Sequence, residues 1–132
     1  MKIPILTLDV PNKNGRIYPR ATFEKALKKY LDEQVAPKRA MIVSKIPEDM
    51  TVNLHDVIGV VKDIRIEENQ VVIEAQFLPE LKGALLAEEG INSGKLHLRS
   101  AGVGSLHKQA DGTYTIGDDY EILSFFVTDN PA

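Results

Sequence analysis

The stretch LHDVIGVVKDIRIEENQVVIEAQFL, residues 54–78, decides the fold class of this chain. Its first half, residues 54–66, is a long run rich in β-branched side chains, and residues 71–78 alternate apolar with polar side chains. The short polar turn at residues 67–69 separates the two runs. Two strand-like runs joined by such a turn predict a β-hairpin, and the fold should therefore be rich in β-structure.

The segments before the hairpin predict a strand, a helix and a second strand. Residues 2–10 are rich in Ile, Leu and Val and predict the first strand. Apolar residues spaced by three and four predict a helix over residues 21–34, with Thr22 as its N-cap. Pro37 prevents the helix from continuing, so that residues 40–43 can begin the second strand.

The segments after the hairpin predict a shorter helix followed by more β-structure. Pro79 lies where a helix can start, and Gly90 is placed to close it. Residues 96–103 predict a strand, Asp111-Gly112 predicts the turn of a hairpin, and residues 120–128 predict a last strand. The whole pattern indicates about seven strands and two helices.

Length and composition indicate one α+β domain over residues 1–132, mainly antiparallel and barrel-like, with two flanking helices. The chain is 43% hydrophobic and 27% charged, as in ordinary globular proteins. A formal charge of −3 disfavours nucleic acid as a partner. The apolar runs are far shorter than the ~20 residues that span a bilayer, so no membrane partner is expected.

The histidines and glycines do not form a cofactor or metal motif. The three histidines, His55, His97 and His107, have no His or carboxylate partner at the spacing that places two ligands on one helical face. We therefore expect no metal and no cofactor. Gly102 and Gly104 are interpreted as relieving a bend or bulge in a strand, because the third glycine and the helix of a dinucleotide site are missing.

Ser100 has sequence surroundings that suit a nucleophile. The small residues Ala101 and Gly102 follow it, and such a bend can expose a hydroxyl beside backbone N–H groups. A serine nucleophile needs a base, and His97, at an odd offset along the strand, should face the opposite side. His55 is the remaining candidate base. The alternative interpretation, which the residue types favour, is an ordinary strand serine and a surface or edge histidine.

Four runs of sequence, in order along the chain, carry a resemblance to a known family. The most specific is Asn-Lys-Asn-Gly-Arg-Ile-Tyr-Pro at residues 12–19, and the others are residues 51–54 with 60–64, residues 100–106 and residues 119–132. Together they resemble the prohead core protease family of tailed bacteriophages, serine proteases that process the inside of an immature capsid. The resemblance covers nearly the whole chain and implies that family's fold.

The sequence departs from this family where the resemblance implies the catalytic residues. Ile46 stands in place of the histidine of a Glu-Leu-x-His-Pro type of run, and an isoleucine cannot accept a proton. Gly59 stands where many members carry a further histidine. The family's Ser-Ser-Arg-Gly motif reads Arg-Ser-Ala-Gly at residues 99–102, so one serine remains and no arginine follows it.

We therefore expect a non-enzymatic phage head protein, a capsid decoration, scaffold or inner-head component on a protease fold without its catalytic histidine. Its expected partners are the major capsid protein or other head proteins, as a homo-oligomer or in many copies, in the virion head and in the host cytoplasm during assembly. The alternative is an active prohead serine protease that processes capsid and scaffold proteins with Ser100 as nucleophile and His55 as base. A third hypothesis, a regulatory or decoy subunit of another protease, requires an exposed apolar patch.

Overall fold

A computed structural model describes residues 1–130. Pro131 and Ala132 lie outside the described residues; they end the fourth run that resembles the family. Within residues 1–130 the chain forms nine strands and two α-helices. The strands are β1 (Lys2–Thr7), β2 (Arg16–Ile17), β3 (Met41–Val43), β4 (Val57–Glu67), β5 (Gln70–Phe77), β6 (His97–Val103), β7 (Leu106–Lys108), β8 (Tyr114–Ile116) and β9 (Glu121–Thr128). The helices are α1 (Arg20–Tyr30) and α2 (Ala84–Asn92).

The strands form a six-stranded sheet in the order β1-β5-β4-β3-β9-β6 and a three-stranded sheet in the order β2-β8-β7. The predicted hairpin is confirmed, because β4 and β5 pair antiparallel from Gly59↔Phe77 to Glu67↔Gln70. Two pairs, β3–β9 and β2–β8, are parallel, which the spacing of the sequence did not predict. The expected α+β, mainly antiparallel fold is confirmed, with more and shorter strands than the seven predicted.

The six-stranded sheet curls until its edge strands approach each other without pairing. Strands β1 and β6 lie close together along part of their length, yet each is hydrogen-bonded to a strand on one side only among the described residues. The sheet is therefore an open barrel. One groove is lined by β1 and by the first two residues of β6, and a second groove, which contains Ser100, is lined by the rest of β6 and by β9.

Helix α1 closes the core against β9. Phe23 and Phe125 are almost completely buried, and the Tyr30 ring meets Phe125 edge-on with 5.5 Å between ring centroids. Aromatic side chains of this size bury the most apolar area per residue, so this contact fixes the helix on the sheet. A π-helical turn, Leu31–Val35, follows α1 directly and replaces the last predicted helical turns.

The predicted N-cap of α1 is wrong. Pro19 occupies the cap position, where its fixed φ of −63° suits the start of a helix, and the first free N–H, that of Arg20, donates to Asp9 Oδ1 at 2.9 Å. Thr22 lies inside the first turn, and its hydroxyl donates to Asp118 Oδ1 at 3.2 Å. The Asp9 carboxylate, eleven positions before Arg20, therefore caps the helix in place of Thr22.

Two further boundaries differ from the prediction. Helix α2 starts after Gly83, whose φ is +85°, and Gly90 lies inside the helix instead of closing it. A Cβ on Gly90 would lie 2.4 Å from Leu96 Cδ1, so this glycine serves the close approach of Leu96. His55 does not lie in a strand: it belongs to the 3-10 turn Leu54–Asp56 that precedes β4.

Candidate functional site

A groove of about 800 Å³, here called the β6 groove, runs beside β6 and β9 and is bounded at one end by the three-stranded sheet. Six consecutive residues, 99–104, contribute to its wall. The other contributions come from Arg16 in β2 and Tyr18 just after it, from Leu106 and Ile116 in the three-stranded sheet, from the loop at residues 45–47, and from β9 with Tyr120 before it. Around Ser100, the groove therefore brings together segments that are distant from one another in the sequence.

Ser100 has a hydroxyl group, and not a base, as its hydrogen-bond partner. Its Oγ lies 3.2 Å from the Tyr120 hydroxyl. Burial raises the pKa of Tyr120 well above its usual range, so the phenol stays protonated at neutral pH and cannot take a proton from Ser100. Among the described residues that line the groove there is no His, Asp or Glu.

The structure does not bring Ser100 and His55 together. His55 is exposed on its 3-10 turn, where its backbone N–H donates to Asn53 Oδ1 at 3.0 Å, and it does not line the β6 groove. No hydrogen bond joins its ring to Ser100 anywhere in residues 1–130. His97 lines the second groove, beside β1, and does not line the β6 groove.

The position at which the resemblance implies a histidine does lie at the β6 groove. Ile46 lines it, with 63% of the residue exposed. The second such position, Gly59, has no room for a side chain, because a Cβ there would lie 2.7 Å from the carbonyl oxygen of Gln76 in β5. At the groove, position 46 therefore contributes an aliphatic side chain and no titratable group.

Gly102 and Gly104 allow Tyr120 to approach β6. The β6–β9 register shifts between Ala101 and Gly102, which confirms the predicted bulge. A Cβ on Gly102 would lie 2.5 Å from Tyr120 Cε1, and one on Gly104 would lie 2.8 Å from Tyr120 Cα. These glycines thus let the Tyr120 hydroxyl reach Ser100.

The groove is cationic and apolar. Arg16, Lys45 and Arg99 line it, and the Arg99 guanidinium lies 5.8 Å from the centroid of the Phe126 ring. Because the described lining has no acidic residue, these charges are not neutralised by a carboxylate in the groove wall. The arrangement favours a ligand that carries carboxylates beside apolar groups.

Sequence reasoning missed Tyr18 and Tyr120 as parts of this site. Tyr18 is buried and meets Tyr120 edge-on, with 5.7 Å between ring centroids. Asn12 shapes the loop before Tyr18, because its Oδ1 accepts the N–H groups of Asn14 and Arg16 at 2.9 and 3.0 Å. The available signal was the specific run at residues 12–19, whose polar residues form this loop and whose tyrosine supports the groove.

A second constellation, Ser105 with His107 and Asp119, lies next to the groove. The Ser105 hydroxyl and N–H donate to Asp119 Oδ1 at 2.8 and 2.9 Å, and His107 Nε2 lies 3.3 Å from the same hydroxyl. These two bonds from Ser105 hold the pKa of Asp119 below its usual value. Because the serine proton is directed to the carboxylate, the cluster clamps two loops together and does not activate the serine.

The described residues contain no group of three or more His, Asp or Glu side chains that could hold a metal ion. None of the helices within residues 1–130 is both long and apolar enough to cross a membrane.

Three comparisons relate this chain to known proteins. A family model for the prohead core protein serine protease matches residues 4–128. The prohead core protein protease of Enterobacteria phage T4 is 29% identical over 119 residues, which cover 86% of this chain and 55% of that protein. The chain thus spans about half the length of the curated relative that it matches. The structure of the bacteriophage T4 capsid assembly protease matches with a TM-score of 0.82 and 26% identity, over 96% of this chain and 80% of that chain. From the match over residues 4–128, this chain belongs to the prohead core protein serine protease family.

Proposed function

We propose that this chain is a phage head-assembly protein that binds other head proteins without cleaving them. The observation that carries the proposal is the environment of Ser100, whose hydroxyl meets the protonated phenol of Tyr120 in a groove whose described lining offers no imidazole or carboxylate. An unactivated serine hydroxyl is a weak nucleophile at neutral pH. Removing the histidine base of a serine protease costs a factor on the order of 10⁶ in kcat.

The partners that fit this proposal are the major capsid protein or other components of the head. The name of the T4 relative places that protein in the prohead core. The cationic and apolar β6 groove gives this chain a surface that suits acidic, partly apolar segments. We propose that the chain acts as a decoration, scaffold or inner-head component, in many copies or as a homo-oligomer, in the host cytoplasm and then in the virion.

A serine-directed fluorophosphonate probe tests the proposal. Wild-type protein, shown to be folded by circular dichroism, should remain unlabelled, and so should Ser100→Ala and His55→Ala. Labelling of the wild type that disappears in both variants would establish a relocated Ser-His site and an active protease. Ile46→His is the informative comparison. If this variant is labelled, and the double variant Ile46→His with Ser100→Ala is not, position 46 is where a base is missing.

Binding should be independent of the serine. Wild type and Ser100→Ala should co-sediment equally with proheads assembled from the major capsid protein, and the capsid and scaffold bands should stay intact on a gel. Absence of co-sedimentation with both proheads and scaffold would contradict the proposed role.

The regulatory-subunit hypothesis has one observation in its favour. Leu85 and Leu86, in helix α2, are 61% and 74% exposed, which is an apolar feature that a partner could cover. A paired Leu85→Glu and Leu86→Glu variant that loses inhibition of a second prohead protease, while still binding proheads, would favour this role over the proposed one.

A further inference from the structure

Helix α2 buries its smaller apolar side chains and exposes its larger ones. Ala84 and Ala87 are buried in the main core, whereas most of Leu85 and Leu86 is exposed. A helix that packs on a core normally turns its large apolar side chains inward, because they bury the most apolar area. The reversal in α2 indicates that the two leucines serve a contact outside the single chain.

Close packing fixes the orientation of α2. A Cβ on Gly90 would lie 2.4 Å from Leu96 Cδ1, so the helix approaches Leu96 with the one residue that leaves room for it. Ile91 packs against the core three and seven residues after Ala87 and Ala84 plus one turn, on the side of the helix that these alanines share. Turning the helix to bury its leucines would therefore remove contacts that hold it on the sheet.

The exposed face of α2 carries opposite charges at its two ends. Glu89 is exposed and lies one helical turn after Leu85, between the directions of Leu85 and Leu86 around the helix axis. Lys82 is exposed just before the helix, as far before Leu85 in the sequence as Glu89 is after Leu86. Neither charge forms an ion pair with another residue of the described part of the chain.

We propose that two copies of this chain associate through α2, with the two helices antiparallel about a two-fold axis that passes beside Leu85 and Leu86. The leucines of each copy then cover those of the other, and Lys82 of each copy faces the partner's Glu89. A two-fold interface requires a patch that is complementary to itself, and a positive end, an apolar centre and a negative end meet this requirement. The inference rests on the proposed function, since it gives the homo-oligomer its surface.

The size of the patch sets the strength of the contact. Two leucines and two rim charges bury much less than the ~800 Å² per partner of a standard stable interface, so this dimer belongs to the weak and concentration-dependent class. Many copies held in one head would raise the effective concentration and favour the contact. In free solution, the dimer should therefore form only in concentrated protein.

Sedimentation velocity over a series of concentrations tests the dimer. The wild type should shift from monomer toward dimer as the concentration rises, whereas Leu86→Glu, folded by circular dichroism, should remain a monomer throughout. Leu54→Glu is the matched control, because Leu54 is also 74% exposed but lies in the 3-10 turn before β4, and it should dimerise like the wild type. A wild type that stays monomeric, or an equal loss in Leu54→Glu, would overturn the proposal.

Charge reversal tests the antiparallel arrangement. Lys82→Glu and Glu89→Lys should each weaken dimerisation by about tenfold, because each places like charges opposite one another twice. An equimolar mixture of the two variants should recover the dimer, since one helix then carries two negative charges and the other two positive charges. Lys28→Glu, on the exposed side of α1, should leave dimerisation unchanged. A mixture that associates no better than its components would overturn the antiparallel pairing.

Co-sedimentation with proheads separates this inference from the proposed function. A wild type that stays monomeric in solution but co-sediments with proheads would overturn the dimer and leave the proposed function intact. If Leu86→Glu then lost co-sedimentation, a head protein would be the occupant of α2 in place of a second copy. A wild type that dimerises through α2 but binds neither proheads nor scaffold would contradict the proposed function and leave the dimer standing.

Discussion

Ser100 illustrates how closely the chemistry of a hydroxyl group depends on its immediate neighbours. The strand, the bulge at Gly102 and the groove all still present the hydroxyl, and its neighbour Tyr120 holds it in place. Proton transfer, however, depends on one particular atom, an unprotonated nitrogen or oxygen of suitable pKa within hydrogen-bond reach. The Ile46 side chain, which lines the groove, offers no such atom.

Ser124 gives a prediction at the scale of one residue. It is 1% exposed in β9, and its hydroxyl has no hydrogen-bond partner among the described residues. An unpaired buried hydroxyl carries a desolvation penalty, so Ser124→Ala should raise the free energy of unfolding by about 1 kcal/mol in urea denaturation. Ser44→Ala, at an exposed serine, is the control and should change nothing. A loss of stability in Ser124→Ala would mean that the hydroxyl is satisfied in solution.

At the scale of elements, short contacts fasten the three-stranded sheet to the six-stranded one. Ser105, before β7, is tied to Asp119, before β9, by two hydrogen bonds to a single carboxylate oxygen. The N–H of Gly117 donates to the carbonyl of Ser105 at 2.9 Å and closes the same corner. This corner positions Leu106 and Ile116 as wall of the β6 groove.

The Asp119 clamp predicts a pH dependence. Its hydrogen bonds from Ser105 lower the pKa of Asp119 below the ordinary value of 3.8, so the folded state favours the carboxylate. The stabilisation is therefore complete above pH 3.8 and is lost as the pH falls through the lowered pKa. Asp119→Asn should lower the urea midpoint at neutral pH, and the difference from the wild type should shrink in acid. An unchanged difference at low pH would show that charge is not the cause.

At the scale of the whole molecule, the two sheets should differ in stability. All three residues of β7 are exposed, and its sheet has strands of only two or three residues, whereas β4 and β5 are long and pack into the core. Regions with little buried apolar surface open locally. Native-state hydrogen exchange should show β7 and β8 opening well below the global unfolding free energy and β4 and β5 opening only with it. Equal protection in both sheets would contradict this order.

The sequence by itself determined the elements whose cause is local. The alternation in residues 71–78, the apolar spacing of α1 and the run at residues 12–19 each act over a few neighbouring positions, and each led to the correct element or family. That Ile46 has no titratable group also follows from the sequence alone, because it needs no coordinates.

Only the tertiary structure decided which distant segments meet. The parallel pairing of β3 with β9, the capping of α1 by Asp9 and the partnership of Tyr120 with Ser100 join positions far apart in the chain. The periodicity of the sequence does not predict such contacts. They form when the chain buries its apolar faces together and the buried polar groups then find hydrogen-bond partners. For the same reason, His55 was a candidate base from the sequence alone, whereas in the folded chain it does not line the β6 groove.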